Sequence, residues 1–166
     1  MASINSEQTE RLQIAQWLLD KQLECIASAD AKVAVVITLN TAIVAILAST
    51  YATSSNPDLP GTLLALSAGL FTFVALFCAA MSIFPRVKGS DKSLVFFGSV
   101  AENTFADYVH TFATSTVDHF VLDITAQVHR NAEIAKAKYV WVRRSIAFSF
   151  LVVPIWVSSI CFLFTS

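Results

Sequence analysis

Three uncharged runs, residues 33–51, 61–84 and 145–166, alternate with charged stretches along this chain. About 20 helical residues cross a ~30 Å hydrocarbon core, so each run is long enough, and the second has room to tilt. The pattern predicts three transmembrane helices at 33–51, 61–84 and 145–164. Before the first run, Leu12, Ala15, Leu19, Gln22 or Leu23, and Ile26 recur near helical spacing, and no Pro or Gly interrupts 5–51. A long helix continuing into the first span is expected. Val117, Val121, Ile124, Val128 and Ile134 form a second stripe leading into the third span. Residues 92–113 read as shorter helices or turns, with caps offered by Asn103-Thr104 and by Thr114 to Thr116. Pro154 is expected to kink the third helix and free the carbonyl of Phe150. No strand pattern or internal repeat is visible.

Composition agrees with lipid surroundings. Of 166 residues, 55% are hydrophobic and 14% charged, against about 25% charged in soluble domains. The net charge of −1 hides a strong asymmetry. Arg11, Lys21 and Lys32 precede the first span. Arg86, Lys88, Lys92, Arg130, Lys136, Lys138, Arg143 and Arg144 lie between the second and third, so all 11 basic residues fall on one side of a three-span topology. By the positive-inside rule that side is the cytoplasm. The expectation is an all-α membrane protein of the bacterial inner membrane: three transmembrane helices plus a helical cytosolic stalk region. Residues 1–32 form a cytosolic N-terminal helix and 85–144 a sensor and stalk region. The two long helices bury their stripes against each other, and Leu94, Phe96 or Phe97, Val100 and Phe105 dock the connecting segment onto them. The charged first 30 residues do not resemble a cleaved signal peptide. Cys25, Cys78 and Cys161 form no disulfide framework or zinc spacing and read as buried free thiols.

Candidate chemistry is sparse. No nucleophile elbow, P-loop, paired-cysteine or HExxH pattern occurs, so an enzyme is not expected. His119 with Asp123 and His129 with Glu133 stand at i, i+4, but a metal would need further ligands, and none is expected. The spans hold no Asp, Glu, Lys or Arg, which argues against a proton relay. Asn40, Ser145 and Ser149 read as interhelical hydrogen-bonding groups, and Ala65 with Gly69 as a small-residue pair for close packing. The remaining polar grouping comprises Asp30 and Lys32 at the membrane entrance, Asn103, and then Gln127, Arg130, Asn131, Lys138 and Tyr139. Beside the Phe96-Phe97 pair it offers cations for phosphate, rings for a base and amides for base edges. The same residues also read as a basic belt touching anionic headgroups, and spacing alone favours that belt.

The order of motifs adds a further signal. DxK (Asp30, Lys32) is followed by LxFFG (Leu94, Phe96, Phe97, Gly98), by Gln127 and Ile134, and by a Lys-Tyr pair (Lys138, Tyr139) before the final span. This order resembles the small transmembrane effectors of bacterial Pycsar antiphage systems, over about residues 25–164. DAKV stands here where DxKA is expected. The resemblance implies a non-enzymatic effector activated by a cyclic mononucleotide of the cCMP or cUMP type, made by a partner cyclase during infection. Binding then leads to membrane disruption and abortive infection. It moves the preference to a nucleotide pocket using Phe97, Asn103, Gln127, Arg130, Lys138 and Tyr139, with Asp30 and Lys32 as a membrane-entrance motif and Gly98 allowing close approach or an unusual turn. The expected partners are the lipid bilayer, the cyclic nucleotide and further copies of the chain, with no nucleic-acid polymer.

Two other classes stay open on sequence: an assembly factor whose stalk binds a partner protein, and a constitutive small pore. Energetics favour a homo-oligomer for the ligand-gated reading, packed through the small-residue face of the second span and the stalks. Moving one protomer from 1:99 to 99:1 takes ~5.5 kcal/mol of differential affinity, whereas a micromolar ligand binds with ~8 kcal/mol in all. The orientation has a direct check. A reporter fused after Ser166 is expected to be periplasmic and one inserted near Lys92 cytoplasmic; a cytoplasmic C-terminus would overturn the three-span topology.

Overall fold

The computed structural model describes residues 6–55, 57–84 and 93–165. Five helices follow in order: α1 (Ser6–Thr53), α2 (Leu59–Ile83), α3 (Phe97–Glu102), α4 (Phe105–Thr114) and α5 (Val117–Thr165). No strand occurs among the described residues. Three helices carry windows apolar and long enough to cross a membrane. At 1.5 Å per residue α1, with 48 residues, is about 72 Å long, and α5 is similar. A ~30 Å hydrocarbon core holds less than half of either. Each long helix is thus more than twice the thickness of the core, whereas α2, with 25 residues, matches it with some tilt.

Local chemistry sets the helix starts. Asp58 caps α2 by accepting from the Gly61 N–H at 2.9 Å, with Pro60 in the first turn. Thr104 caps α4 through the Asp107 N–H at 3.2 Å, and the Thr116 hydroxyl accepts from the His119 N–H at 3.3 Å. Both expected cap positions are thus used, with Asn103 ending α3 rather than starting α4.

The chain forms two compact units. One holds residues 28–84 and 137–166 and contains the three apolar spans. Within it, Val33 and Val142 share a buried cluster with Ala79, while Leu47 and Leu163 share another with Ala65 and Ala68. Residue numbers rise together along α1 and α5 and fall along α2. Hence α1 and α5 run parallel, α2 runs antiparallel to both, and both long helices enter this bundle at the same end. The face that α2 buries is small: Gly61, Ala65, Ala68, Thr72, Ala75, Cys78, Ala79 and Ser82. Its bulky residues, among them Leu66, Leu70 and Phe73, point outward. Small residues allow the backbones to approach, and the Ser145 hydroxyl donates to the Ala75 carbonyl at 2.6 Å. Asn40, fully buried, donates to the Ser149 hydroxyl at 2.7 Å and to the Val36 carbonyl at 2.8 Å. The interhelical role read for Asn40, Ser145 and Ser149 is what the structure shows.

Three expectations need correction. Gly69 does not contribute to close packing, because a Cβ placed there meets nothing within 4 Å. The small-residue face of α2 is already covered by this chain's own helices and is not free for a second copy. Of the three cysteines only Cys78 is buried; Cys25 and Cys161 are exposed.

The other unit holds residues 1–27 and 85–136, of which 6–27 and 93–136 are described. Arg86, Lys88 and Lys92, counted for orientation, lie outside the described residues. Along this part of α1 the partly or fully buried positions are Gln8, Leu12, Ala15, Leu18, Leu19, Gln22 and Ile26, so Gln22 rather than Leu23 continues the stripe. On α5, Ile124 is buried and Val117, Val121 and Val128 are half-buried. Leu94 is buried, with Phe96 and Val100 half-buried, but Phe97 and Phe105 are 68% and 85% exposed and do not dock the segment.

The α2 packing predicts opposite effects at adjacent positions. Ala68→Leu, at a fully buried site, is expected to overpack the bundle by about 1–3 kcal/mol. Gly69→Ala, in open space, is expected to stabilise by roughly 0.5–1 kcal/mol. Thermal unfolding of the detergent-solubilised protein reads both.

Candidate functional site

The LVFFG segment is held by its backbone. The Ser93 hydroxyl accepts from the Val95 and Phe96 N–H groups at 3.1 and 2.8 Å. The Gln127 side-chain amide donates to that same hydroxyl at 3.4 Å. Asp123, buried on α5, accepts from the Leu94 N–H at 2.7 Å, and the Tyr108 hydroxyl donates to the Leu94 carbonyl at 3.3 Å. Both polar groups of the Leu94 peptide are thereby satisfied by side chains, as buried backbone requires. Gly98 lies inside α3 and no glycine among the described residues has positive φ, so the expected unusual turn is absent. Close approach is the correct half of that expectation: a Cβ at Gly98 falls 2.5 Å from the Phe96 ring edge.

The candidate ligand residues fall into two groups. Phe97, Asn103, Gln127 and Arg130 belong to the unit carrying this segment. Phe97 opens α3 with its ring exposed and 4.8 Å from that of Phe96. Asn103 donates to the Ser99 carbonyl at 2.8 Å. Gln127 is buried with its amide directed to Ser93, which is a positioning contact for the loop. Arg130 pairs with Glu133 at 2.8 Å. That guanidinium, hydrogen-bonded to the carboxylate, holds Glu133 below its usual range, against an opposing effect of desolvation.

Lys138, Tyr139, Asp30 and Lys32 belong to the other unit, at the end where α1 and α5 enter the bundle. Here two sequence motifs become two contacts. Lys138 pairs with Asp30 at 2.5 Å, its side chain only 16% exposed. The Lys32 ammonium lies 4.9 Å from the centre of the Tyr139 ring, within the range of a cation–π attraction. Arg144 stacks over Trp141 at 4.8 Å in the same helix. The DxK motif and the Lys-Tyr motif, 108 residues apart, thus interlock.

Sequence reading missed Ser93, Tyr108 and Asp123. Asp123 had been noted only beside His119, yet its place next to Ile124 on the apolar stripe was a usable signal, since buried carboxylates are seldom without a partner. Among the described residues no three His, Cys, Asp or Glu side chains are grouped to hold a metal.

A family model described as the Pycsar effector protein domain, PycTM, matches residues 14–165. The chain belongs to the PycTM family. It is also 27% identical over 156 residues to the Pycsar effector protein PtPycTM of Propioniciclava tarda, covering 88% of this chain and 77% of that protein. No solved structure matches. The resemblance drawn from motif order is therefore confirmed. PycTM membership and three apolar spans make this a membrane protein of an antiviral defence family of a non-enzymatic effector kind.

If the interlock ties α1 to α5, its charges are exchangeable as a pair. Asp30→Lys and Lys138→Asp are each expected to lower thermal stability, and the double exchange to recover most of the loss. The coupling expected for a half-buried pair is about 1–2 kcal/mol. A double variant no better than the sum of the singles would show that the pair contributes nothing.

Proposed function

We propose that this PycTM chain is a cyclic-nucleotide-activated effector of bacterial antiphage defence. A cyclic pyrimidine mononucleotide of the cCMP or cUMP type, made by a partner cyclase, binds the cytoplasmic portion, comprising the N-terminal helix and residues 85–144. The chain then disrupts inner-membrane integrity, and the infected cell ceases to support phage. The observation that carries this reading, beside family membership, is that α5 is one uninterrupted helix holding both Arg130 and the third span. A ligand engaging Arg130 acts on an element that itself crosses the lipid.

Arg130 is the better phosphate ligand than Lys138. The Lys138 side chain is 16% exposed and paired with Asp30, whereas the Arg130 side chain is 35% exposed beside a half-exposed Glu133. Phe97, exposed beside Phe96, supplies a face for the base, and Asn103 a nearby amide. With Glu133 ionised at neutral pH, its carboxylate competes with incoming phosphate for the guanidinium. Because a single protomer would spend most of a micromolar ligand's binding energy on switching, several copies share the transition, so the active form is a homo-oligomer. The copies meet through faces other than the buried side of α2.

The test uses the protein in sealed vesicles with a trapped dye, together with a thermal-shift screen of cyclic mono- and dinucleotides, since a ligand selective for the folded state raises its stability. One pyrimidine cyclic mononucleotide is expected to raise the unfolding temperature and release dye. Arg130→Ala is expected to weaken binding about ten- to hundredfold, the loss of a charge-assisted contact of roughly 1.5–3 kcal/mol. Glu133→Gln is expected to strengthen it. Leakage without any nucleotide would identify a constitutive pore, and unchanged affinity in folded Arg130→Ala would remove Arg130 from the site.

A further inference from the structure

Helices α1 and α5 leave a groove of about 310 Å³ between them in the apolar part of the spans, and α2 contributes nothing to its walls. Lys32, Val36 and Leu39 line it from α1, and Ile146, Phe150 and Val153 from α5. Its one further polar lining group, the Ser149 hydroxyl, is already occupied: it donates to the Ser145 carbonyl at 2.9 Å and accepts from Asn40 at 2.7 Å. The wall therefore offers a polar guest nothing, except at one end. There the Lys32 ammonium sits over Tyr139, and residues 28–32 and 137–144 together carry four cations (Lys32, Lys138, Arg143, Arg144) against one carboxylate, Asp30.

We propose that this groove is a binding site for one anionic phospholipid of the surrounding membrane, with an acyl chain lying along Val36, Leu39, Phe150 and Val153 and the phosphate at Lys32.

Size, charge and position select this occupant. From Lys32 to Leu39 the groove runs about 10 Å, and aliphatic and aromatic side chains line it from both helices. A span of a second copy seated there would bring no negative charge to Lys32, because the three uncharged runs hold no Asp or Glu. A single hydrocarbon chain fits. Lying in the spans, the groove has lipid rather than water as its solvent, and a dry apolar furrow in lipid fills with chains. The cationic end supplies complementarity for a negative headgroup, worth about fivefold in affinity per basic residue near the surface.

The full chain, purified from membranes in mild detergent, is examined by native mass spectrometry and then titrated with phosphatidylglycerol and with phosphatidylcholine. One retained lipid per chain and a preference for phosphatidylglycerol are expected. Leu39→Trp, which fills the groove, is expected to abolish retention, whereas Leu66→Trp on the outward face of α2 leaves it intact. Lys32→Gln is expected to reduce the phosphatidylglycerol preference about fivefold without removing chain binding. A phosphatidylglycerol carrying a photoreactive group in its chain supplies a readout that needs no variant. Its cross-links are expected on peptides containing residues 32–39 and 146–153. Retention unchanged in folded Leu39→Trp, cross-links spread evenly over all lipid-facing residues, or equal binding of the two lipids would each overturn the proposal.

Discussion

The distance at which the α2 backbone can approach its neighbours governs the membrane-spanning unit. Lipid tails are as apolar as leucine, so burying leucine between helices gains little there, and association rests on close contact and hydrogen bonds. The bulky residues of α2 accordingly point outward and the small ones inward. Only with alanine at 75 and its small neighbours can the Ser145 hydroxyl reach a main-chain carbonyl at 2.6 Å. That contact fixes α5 against α2, and the two shared clusters then place α1 parallel to α5.

Polar side chains act in this protein mainly as fasteners. At the mouth of the bundle, Asp30 with Lys138 and Lys32 with Tyr139 join residues more than a hundred positions apart. In the other unit, Asp123 and Tyr108 grip one peptide, that of Leu94, from both sides. The two arrangements share a logic. Removing Asp123 would leave the buried Leu94 N–H without its acceptor, and removing Asp30 would strand the largely covered Lys138 ammonium; such losses exceed the modest net gain of forming the bond. The ring of Phe97 is left outside these fastenings, exposed at the start of α3.

Much of this was legible along the chain because the governing signals are local or compositional. Uncharged runs gave the spans, an unbroken stretch without Pro or Gly gave the length of α1, and Thr104 and Thr116 announced helix starts. Motif order alone led to the PycTM family. What escaped was set by three-dimensional pairing. Ala65 and Gly69 are both small and four apart, but the buried face passes through Ala68 and Thr72, leaving Gly69 in open space. Phe105 was read as a docking residue from its type, although it projects from α4 with nothing to cover it. That the Gln127 and Asn103 amides donate within the protein, to Ser93 and Ser99, was likewise not visible from spacing. Periodicity identifies which residues share a face, and partners on other elements decide what that face does.

The hydrogen bond from Asn40 to Ser149 has a consequence for biogenesis. Ribosomes deliver α1 and α2 to the membrane before residues 145–149 exist, because synthesis proceeds from the N-terminus. During that interval Asn40 has its bond to the Val36 carbonyl within its own helix but lacks the acceptor supplied by α5. The Ala75 carbonyl likewise awaits Ser145. The half-made bundle thus presents an Asn40 N–H without its second acceptor and a smooth, small-residue face to lipid or to the insertion machinery until the last helix arrives. Correct assembly of this small protein is a race between translation of α5 and whatever else can occupy that face first.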